Sequence, residues 1–165
     1  MRTLLRPPVT LAEAWSDPVL ALGLGLGSGC ARRAPGTAGT VLAVPLCWLA
    51  QYALSPWGFA ALTAVLCLVG VGICGRSARL LGVHDHPAIV WDEIAGLFIT
   101  LVGAPQGWPW LVAGFALFRL FDILKPWPIS LADRRLSGGF GIMADDILAG
   151  LAACACLQAL TGVTG

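Results

Sequence analysis

"GVHDHPAIVWDEIAG", Gly82 to Gly96, holds five ionisable side chains in fifteen positions: His84, Asp85, His86, Asp92 and Glu93. It runs without a break into "LFITLVG", Leu97 to Gly103, which is apolar enough to enter a bilayer. Ionised carboxylates in apolar surroundings are costly unless they are partnered, and in membrane segments they mark function. The stretch therefore predicts a helix that starts at a polar face and runs inward, carrying two adjacent carboxylates at its mouth. Pro87 fits the first helical position, with His86 or Asp85 as cap. That places a helix over roughly 87–104, with Asp92 and Glu93 in its second turn.

The rest of the chain supports an apolar setting. Of 165 residues, 58% are hydrophobic and 12% charged, and the mean hydropathy is +0.83. Soluble domains average about 25% charged residues. The length suits a single domain over residues 1–165. A net charge of +1 gives no long-range field for nucleic acid. Cys30, Cys47, Cys67, Cys74, Cys154 and Cys156 form no C-x-x-C pair and read as small core hydrophobes.

Every formal charge falls in one of three blocks, residues 2–33, 76–93 and 119–146. The uncharged stretches between them are broken at "LSPWG" and "GAPQGWP" and so read as hairpins. The pattern predicts an all-α integral membrane bundle of about five apolar helices, two hairpins plus a final helix. Their expected spans are roughly 38–54, 57–81, 87–104, 109–125 and 144–162. Residues 10–29, opened by a Thr10/Glu13 capping box and interrupted by Pro18 and glycines, read as an N-terminal interfacial helix. Each hairpin returns to the side it left. All ten Lys and Arg residues then share one face, which the positive-inside rule makes cytoplasmic.

Counting outward from Gln106, Glu93 and Arg119 lie at equal depth on antiparallel helices, and Asp122 is close to that level. "GGFGIMADDILAG", Gly138 to Gly150, brings Asp145 and Asp146 to the same face. Clustered carboxylates repel strongly at low dielectric. A divalent cation relieves that repulsion, and an all-oxygen set favours Mg²⁺, or else Mn²⁺ or Ca²⁺, over zinc. Asp92, Glu93, Asp145 and Asp146 are the candidate metal ligands. Two simpler explanations stay open: Asp145 and Asp146 as a helix cap, and Arg119–Asp122 as a structural i, i+3 pair.

Basic groups sit among the acids. Arg119, Asp122 and Lys125 follow at steps of three on one helical face. Arg and Lys beside a metal are how proteins hold phosphate. "RRAPGTAGT", Arg32 to Thr40, adds Arg33, the backbone N–H groups of Gly36, Gly39 and Thr40, and the hydroxyls of Thr37 and Thr40 at the start of a helix, a setting that favours anions.

Four segments together, "APGTAGT", "GVHDHPAIVWDEIAG", "FRLFDILKPWPI" and "GGFGIMADDILAG", resemble the phosphatidylglycerophosphatase A family in order and separation. The resemblance covers Ala34 to Gly150 and departs at Cys30–Arg33 and at Thr40, where serine is common. It implies a Mg²⁺-dependent, membrane-embedded phosphatase of the bacterial inner membrane. Such an enzyme hydrolyses phosphatidylglycerophosphate to phosphatidylglycerol and inorganic phosphate. In that reaction Asp92, Glu93, Asp145 and Asp146 would hold metal. Arg33, Gly36, Thr37, Thr40, Arg119 and Lys125 would bind substrate, and Asp85 or Asp122 would orient or deprotonate water. The rivals are a metal-dependent phosphoryl-alcohol transferase and an ion transporter. The first usually carries a longer D-G-x-x-A-R pattern, which is missing here. The second would place its charges near mid-membrane.

The charge pattern makes a topological prediction. Cysteines introduced at Asp133 and beside Gln106, in a background freed of native cysteines, should label from opposite sides of the membrane. Labelling from the same side contradicts it.

Overall fold

A computed structural model describes residues 9–164, and side chains up to residue 162. Among the described residues every regular element is helical. Two short helices come first, α1 (Leu11–Ala14) and α2 (Pro18–Gly23), followed by a 3₁₀ segment at Gly25–Cys30. Thr10 Oγ1 accepts from Glu13 N–H and Asp17 Oδ1 accepts from Val19 and Leu20 N–H, so each short helix has a side-chain cap. The expected single N-terminal helix is thus divided. Leu26 and Gly27 adopt positive φ values of 56° and 106°, and this kinks the chain.

Five longer helices follow: α3 (Pro35–Ala53), α4 (Pro56–Leu81), α5 (Trp91–Thr100), α6 (Trp108–Leu124) and α8 (Gly138–Thr164). A short α7 (Ile129–Arg135) precedes the last. Proline occupies the first turn of α3, α4 and α6, where its missing N–H costs nothing. Gly82, with φ +64°, closes α4. α5 is the central element, packed against α3, α4, α6 and α8. Eight of its ten residues are buried.

Three expectations need correction. α5 starts at Trp91, not Pro87, because the approach is bonded otherwise: Val90 N–H donates to the distant Gly23 O at 2.9 Å, and Ile89 N–H closes a local turn on His86 O at 2.8 Å. Asp92 and Glu93 therefore lie in its first turn. α8 begins at Gly138, well before residue 144. Gly139 lets the backbone approach α4 so closely that an added Cβ would lie 1.9 Å from Val71 O. Finally, among the described residues two helices are long and apolar enough to cross a membrane, α4 (Pro56–Leu81) and α8 over Gly138–Gly162, fewer than the five apolar helices expected. α5 is too short at ten residues, about 15 Å of rise against a hydrocarbon core of about 30 Å.

The three charged blocks meet at one end of the bundle. Arg76 pairs with Asp17 at 2.8 Å, joining the first block to the second, and Arg119 lies beside Gly36 and Glu93. At the other end the uncharged hairpin tips are tied by Gln106 Nε2 donating to Gln51 O at 2.6 Å.

Glycines allow the helices to approach. An added Cβ at Gly150 would lie 2.7 Å from Gly96 O, whereas at Gly72 it meets nothing within 4 Å. Gly150→Ala should therefore cost about 1–3 kcal/mol by overpacking backbone against backbone. Gly72→Ala, inside the exposed face of a helix, should be neutral or stabilising. Thermal unfolding in detergent checks both, and equal melting temperatures for the two variants would refute this packing.

Candidate active site

The charged end opens into a cavity of about 450 Å³. Its walls come from the start of α3 (Ala34, Pro35, Gly36), the loop before α5 (Asp85, Pro87, Ile89), the first turn of α5 (Asp92, Glu93), the end of α6 (Arg119, Asp122, Ile123, Lys125) and α8 (Ile142, Asp145, Asp146). Six carboxylates thus face two cationic side chains. Two other cavities, of about 160 and 320 Å³, are lined without any ionisable side chain, so the chemistry belongs to this one.

Asp92, Glu93 and Asp146 each offer an oxygen within 4.8 Å of the other two. Asp92 and Asp146 are buried, and Glu93 is nearly so. Helix packing forces this meeting. α5 carries the first two carboxylates in its opening turn, and α8 crosses it where Gly96 and Gly150 bring the backbones together. Asp92 Oδ1 and Glu93 Oε2 are buried without a hydrogen-bond partner. Buried polar atoms are otherwise nearly always paired. Two orphaned carboxylate oxygens beside a third buried carboxylate are what a divalent cation would satisfy, and the all-oxygen donor set fits Mg²⁺.

Asp145 lies on the same wall but has a different partner. Its Oδ2 accepts from Lys125 Nζ at 2.6 Å, and Asp133 Oδ1 on α7 takes the same ammonium at 2.5 Å. Partial burial works against the Lys125 charge, but the bonds to Asp133 and Asp145 outweigh it and hold its pKa above that of an ordinary lysine. Lys125 is the C-cap of α6 in left-handed conformation (φ 42°), which turns its side chain away from the helix towards α7 and α8. Asp145 stands seven residues into α8, so neither it nor Asp146 is a helix cap. Arg119 Nη1 donates to Asp122 Oδ2 at 2.5 Å, which confirms the i, i+3 pair, while Arg119 Nε is buried without a partner.

The first loop contributes differently from its sequence reading. Gly36 is pressed onto the site, since an added Cβ would lie 2.1 Å from Glu93 Oε1 and 3.4 Å from Arg119 Nη1. α3 starts at Pro35, so Gly39 and Thr40 are inside the helix rather than at its mouth. Gly39 packs on Val90, and the fully buried Thr40 donates its hydroxyl to Gly36 O at 2.8 Å. Thr40 thus braces the first turn and does not line the cavity. Thr37 is half-buried and Arg33 exposed; neither lines it. Asp85 sits at the open mouth.

Two participants escaped the sequence reading. Asp133 belongs to α7, a helix of seven residues too short to show periodicity. His84 accepts at Nε2 from Gly138 N–H at 2.6 Å, linking residues far apart in the chain. Its place next to Asp85 was the one available signal.

The family model described as phosphatidylglycerophosphatase A matches residues 21–161. The chain is 45% identical over 138 residues to the phosphatidylglycerophosphatase A of Escherichia coli, covering 82% of this chain and 79% of that one. It is 46% identical over 140 residues to the protein of the same name from Haemophilus influenzae, covering 82% and 83%. It is also 40% identical over 142 residues, 81% and 87% of the two chains, to a Bacteroides thetaiotaomicron protein provisionally named a phosphatidylinositol-3-phosphatase. No solved structure matches. The matched region contains every residue that lines the acidic cavity, and the chain belongs to the phosphatidylglycerophosphatase A family.

Proposed function

We propose that the chain hydrolyses phosphatidylglycerophosphate to phosphatidylglycerol and inorganic phosphate, with Mg²⁺ held by Asp92, Glu93 and Asp146. The observation that carries the chemistry is the pair of unpartnered, buried carboxylate oxygens on Asp92 and Glu93, set beside Asp146 and facing Arg119 and Lys125. The substrate follows from the family and from its curated relatives.

Bound there, Mg²⁺ would supply positive charge at the phosphate and acidify water. Arg119 and Lys125 would take the phosphate oxygens, one as a planar fork and the other as a point charge. Lys125 would exchange one of its two carboxylate partners for the substrate. Asp122 is committed to Arg119, so Asp85 at the mouth is the better placed proton acceptor. Water oxygen forms the new bond to phosphorus, its proton passes to Asp85, and the phosphorus–oxygen bond to the glycerol breaks. The released alkoxide then takes that proton from Asp85, giving the alcohol and restoring the carboxylate. Asp145 holds Lys125 in place while the phosphate arrives.

A bilayer suits the rest of the molecule. Leu68, Val65 and Val69 on α4 and Leu120, Ile123 and Leu124 on α6 are exposed, an arrangement that water disfavours. Trp57 and Trp108, at the uncharged end, are more than 70% exposed and suit the opposite interface. With α4 and α8 crossing, the charged end would face the cytoplasm at the inner membrane, and the lipid tails could stay in the bilayer while the headgroup enters the cavity.

Purified protein given phosphatidylglycerophosphate and Mg²⁺ should release inorganic phosphate without a nucleotide donor. Release only with a donor would indicate a transferase, and no release with either would leave the transporter reading. Asp92→Asn and Asp146→Asn should each lower turnover by at least about a hundredfold, since each removes a ligand charge. Both should remain folded in detergent. Near-normal turnover in either at modest Mg²⁺ would exclude that residue from the metal site.

A further inference from the structure

The loop that carries Asp85 is fastened at both ends but open in the middle. At its start, Gly82 N–H donates to Arg79 O and Val83 N–H to Ala78 O, each at 3.2 Å. At its far end Val90 N–H donates to Gly23 O, and Ala88 is locked against Gly29, where an added Cβ would lie 2.0 Å from Ala88 O. Between these anchors His84, Asp85 and Pro87 are exposed. A hydrogen bond crosses from this middle to α8: Gly138 N–H donates to His84 Nε2 at 2.6 Å.

Gly138 is a defined endpoint. It holds φ +71° at the first residue of α8, and the next residue is wedged against Val71 O and Gly75 of α4. The same helix carries Asp145 and Asp146. An exposed loop residue tied to a rigid helix start takes its position from that helix. The neighbouring Asp85, on the cavity wall, then has its distance from Asp146 set by a bond it does not itself make.

We infer that His84 is a positioning residue that fixes Asp85 over the cavity by latching its loop to the N-terminus of α8. The inference rests on the proposed role of Asp85 as proton acceptor. What matters is the acceptor atom and its reach. The amide oxygen of glutamine offers an acceptor at the end of a side chain of similar length, and alanine offers none. His86 serves a different purpose, its Nδ1 accepting from Ala88 N–H within the same loop.

The test uses the full chain in detergent, with His84→Ala and His84→Gln beside the wild type. Three quantities are measured: steady-state phosphate release from phosphatidylglycerophosphate, melting temperature, and hydrogen exchange at the Gly138 amide. His84→Ala should lower kcat about tenfold, the scale of one lost hydrogen bond, with KM changed less than about twofold. Exchange at Gly138 should accelerate by a similar factor. His84→Gln should recover most of kcat and most of the exchange protection, and both variants should melt near the wild type. The inference is overturned if His84→Ala retains kcat, if the glutamine variant falls as far as the alanine one, or if lost activity only follows a lowered melting temperature. Should the wild type release no phosphate, the proposed function fails instead, and exchange at Gly138 in the two variants still decides whether the latch exists.

Discussion

The close crossing of α5 and α8 is the contact on which the site depends. Gly150 meets Gly96 O, and Gly96 in turn has Phe118 of α6 and Asp146 O within touching distance. Any side chain at these two positions would push the helices apart. Because they touch, the opening turn of α5 and the third turn of α8 sit at one level, and Asp92, Glu93 and Asp146 share a space that three like charges would not choose. In water three carboxylates separated by a few ångströms repel modestly, but in a buried setting the same separation is severe. A bound divalent cation would offset that repulsion by giving the three carboxylates an opposite charge to face. Apolar packing thus holds the carboxylates in place, and the proposed Mg²⁺ answers the charge this creates.

Around that centre the cations are held by acids rather than left free. Arg119 is paired with Asp122, and Lys125 is shared by Asp133 and Asp145. Both are therefore fixed before a phosphate arrives, so less side-chain entropy is lost on binding. The arrangement also explains why six carboxylates surround a site meant for an anion. Two of them position cations, three face the proposed metal, and Asp85 remains at the mouth.

Much of this was legible in the sequence because charge is rare in the chain. When charged residues fall in three blocks separated by apolar helices, the blocks must gather at a surface, and Asp92, Glu93, Arg119, Asp122, Lys125, Asp145 and Asp146 do line one cavity. The five longer helices were legible for the same reason. What stayed hidden was set by tertiary contact. The Gly23–Val90 hydrogen bond delays α5 to Trp91, the wedge of Gly139 against Val71 starts α8 early, and α7 is too short for periodicity. Thr40 looked like an anion ligand, yet a helix that begins at Pro35 turns its hydroxyl back onto Gly36. Asp145 and Asp146 looked equivalent, but adjacent residues on a helix point about 100° apart: Asp146 brings an oxygen within 4.8 Å of both α5 carboxylates, and Asp145 pairs with Lys125. Which of the apolar helices cross a membrane was not legible, because apolar composition alone does not distinguish a spanning helix from the buried, ten-residue α5.

In the proposed arrangement Asp92, Glu93 and Asp146 form one cation site, with Asp145 serving Lys125 instead. Mn²⁺ binding followed by electron paramagnetic resonance tests it without any turnover. Asp146→Asn should weaken Mn²⁺ binding by at least about tenfold, whereas Asp145→Asn should change it far less. Equal weakening by both substitutions, or binding unchanged by Asp146→Asn, would contradict it.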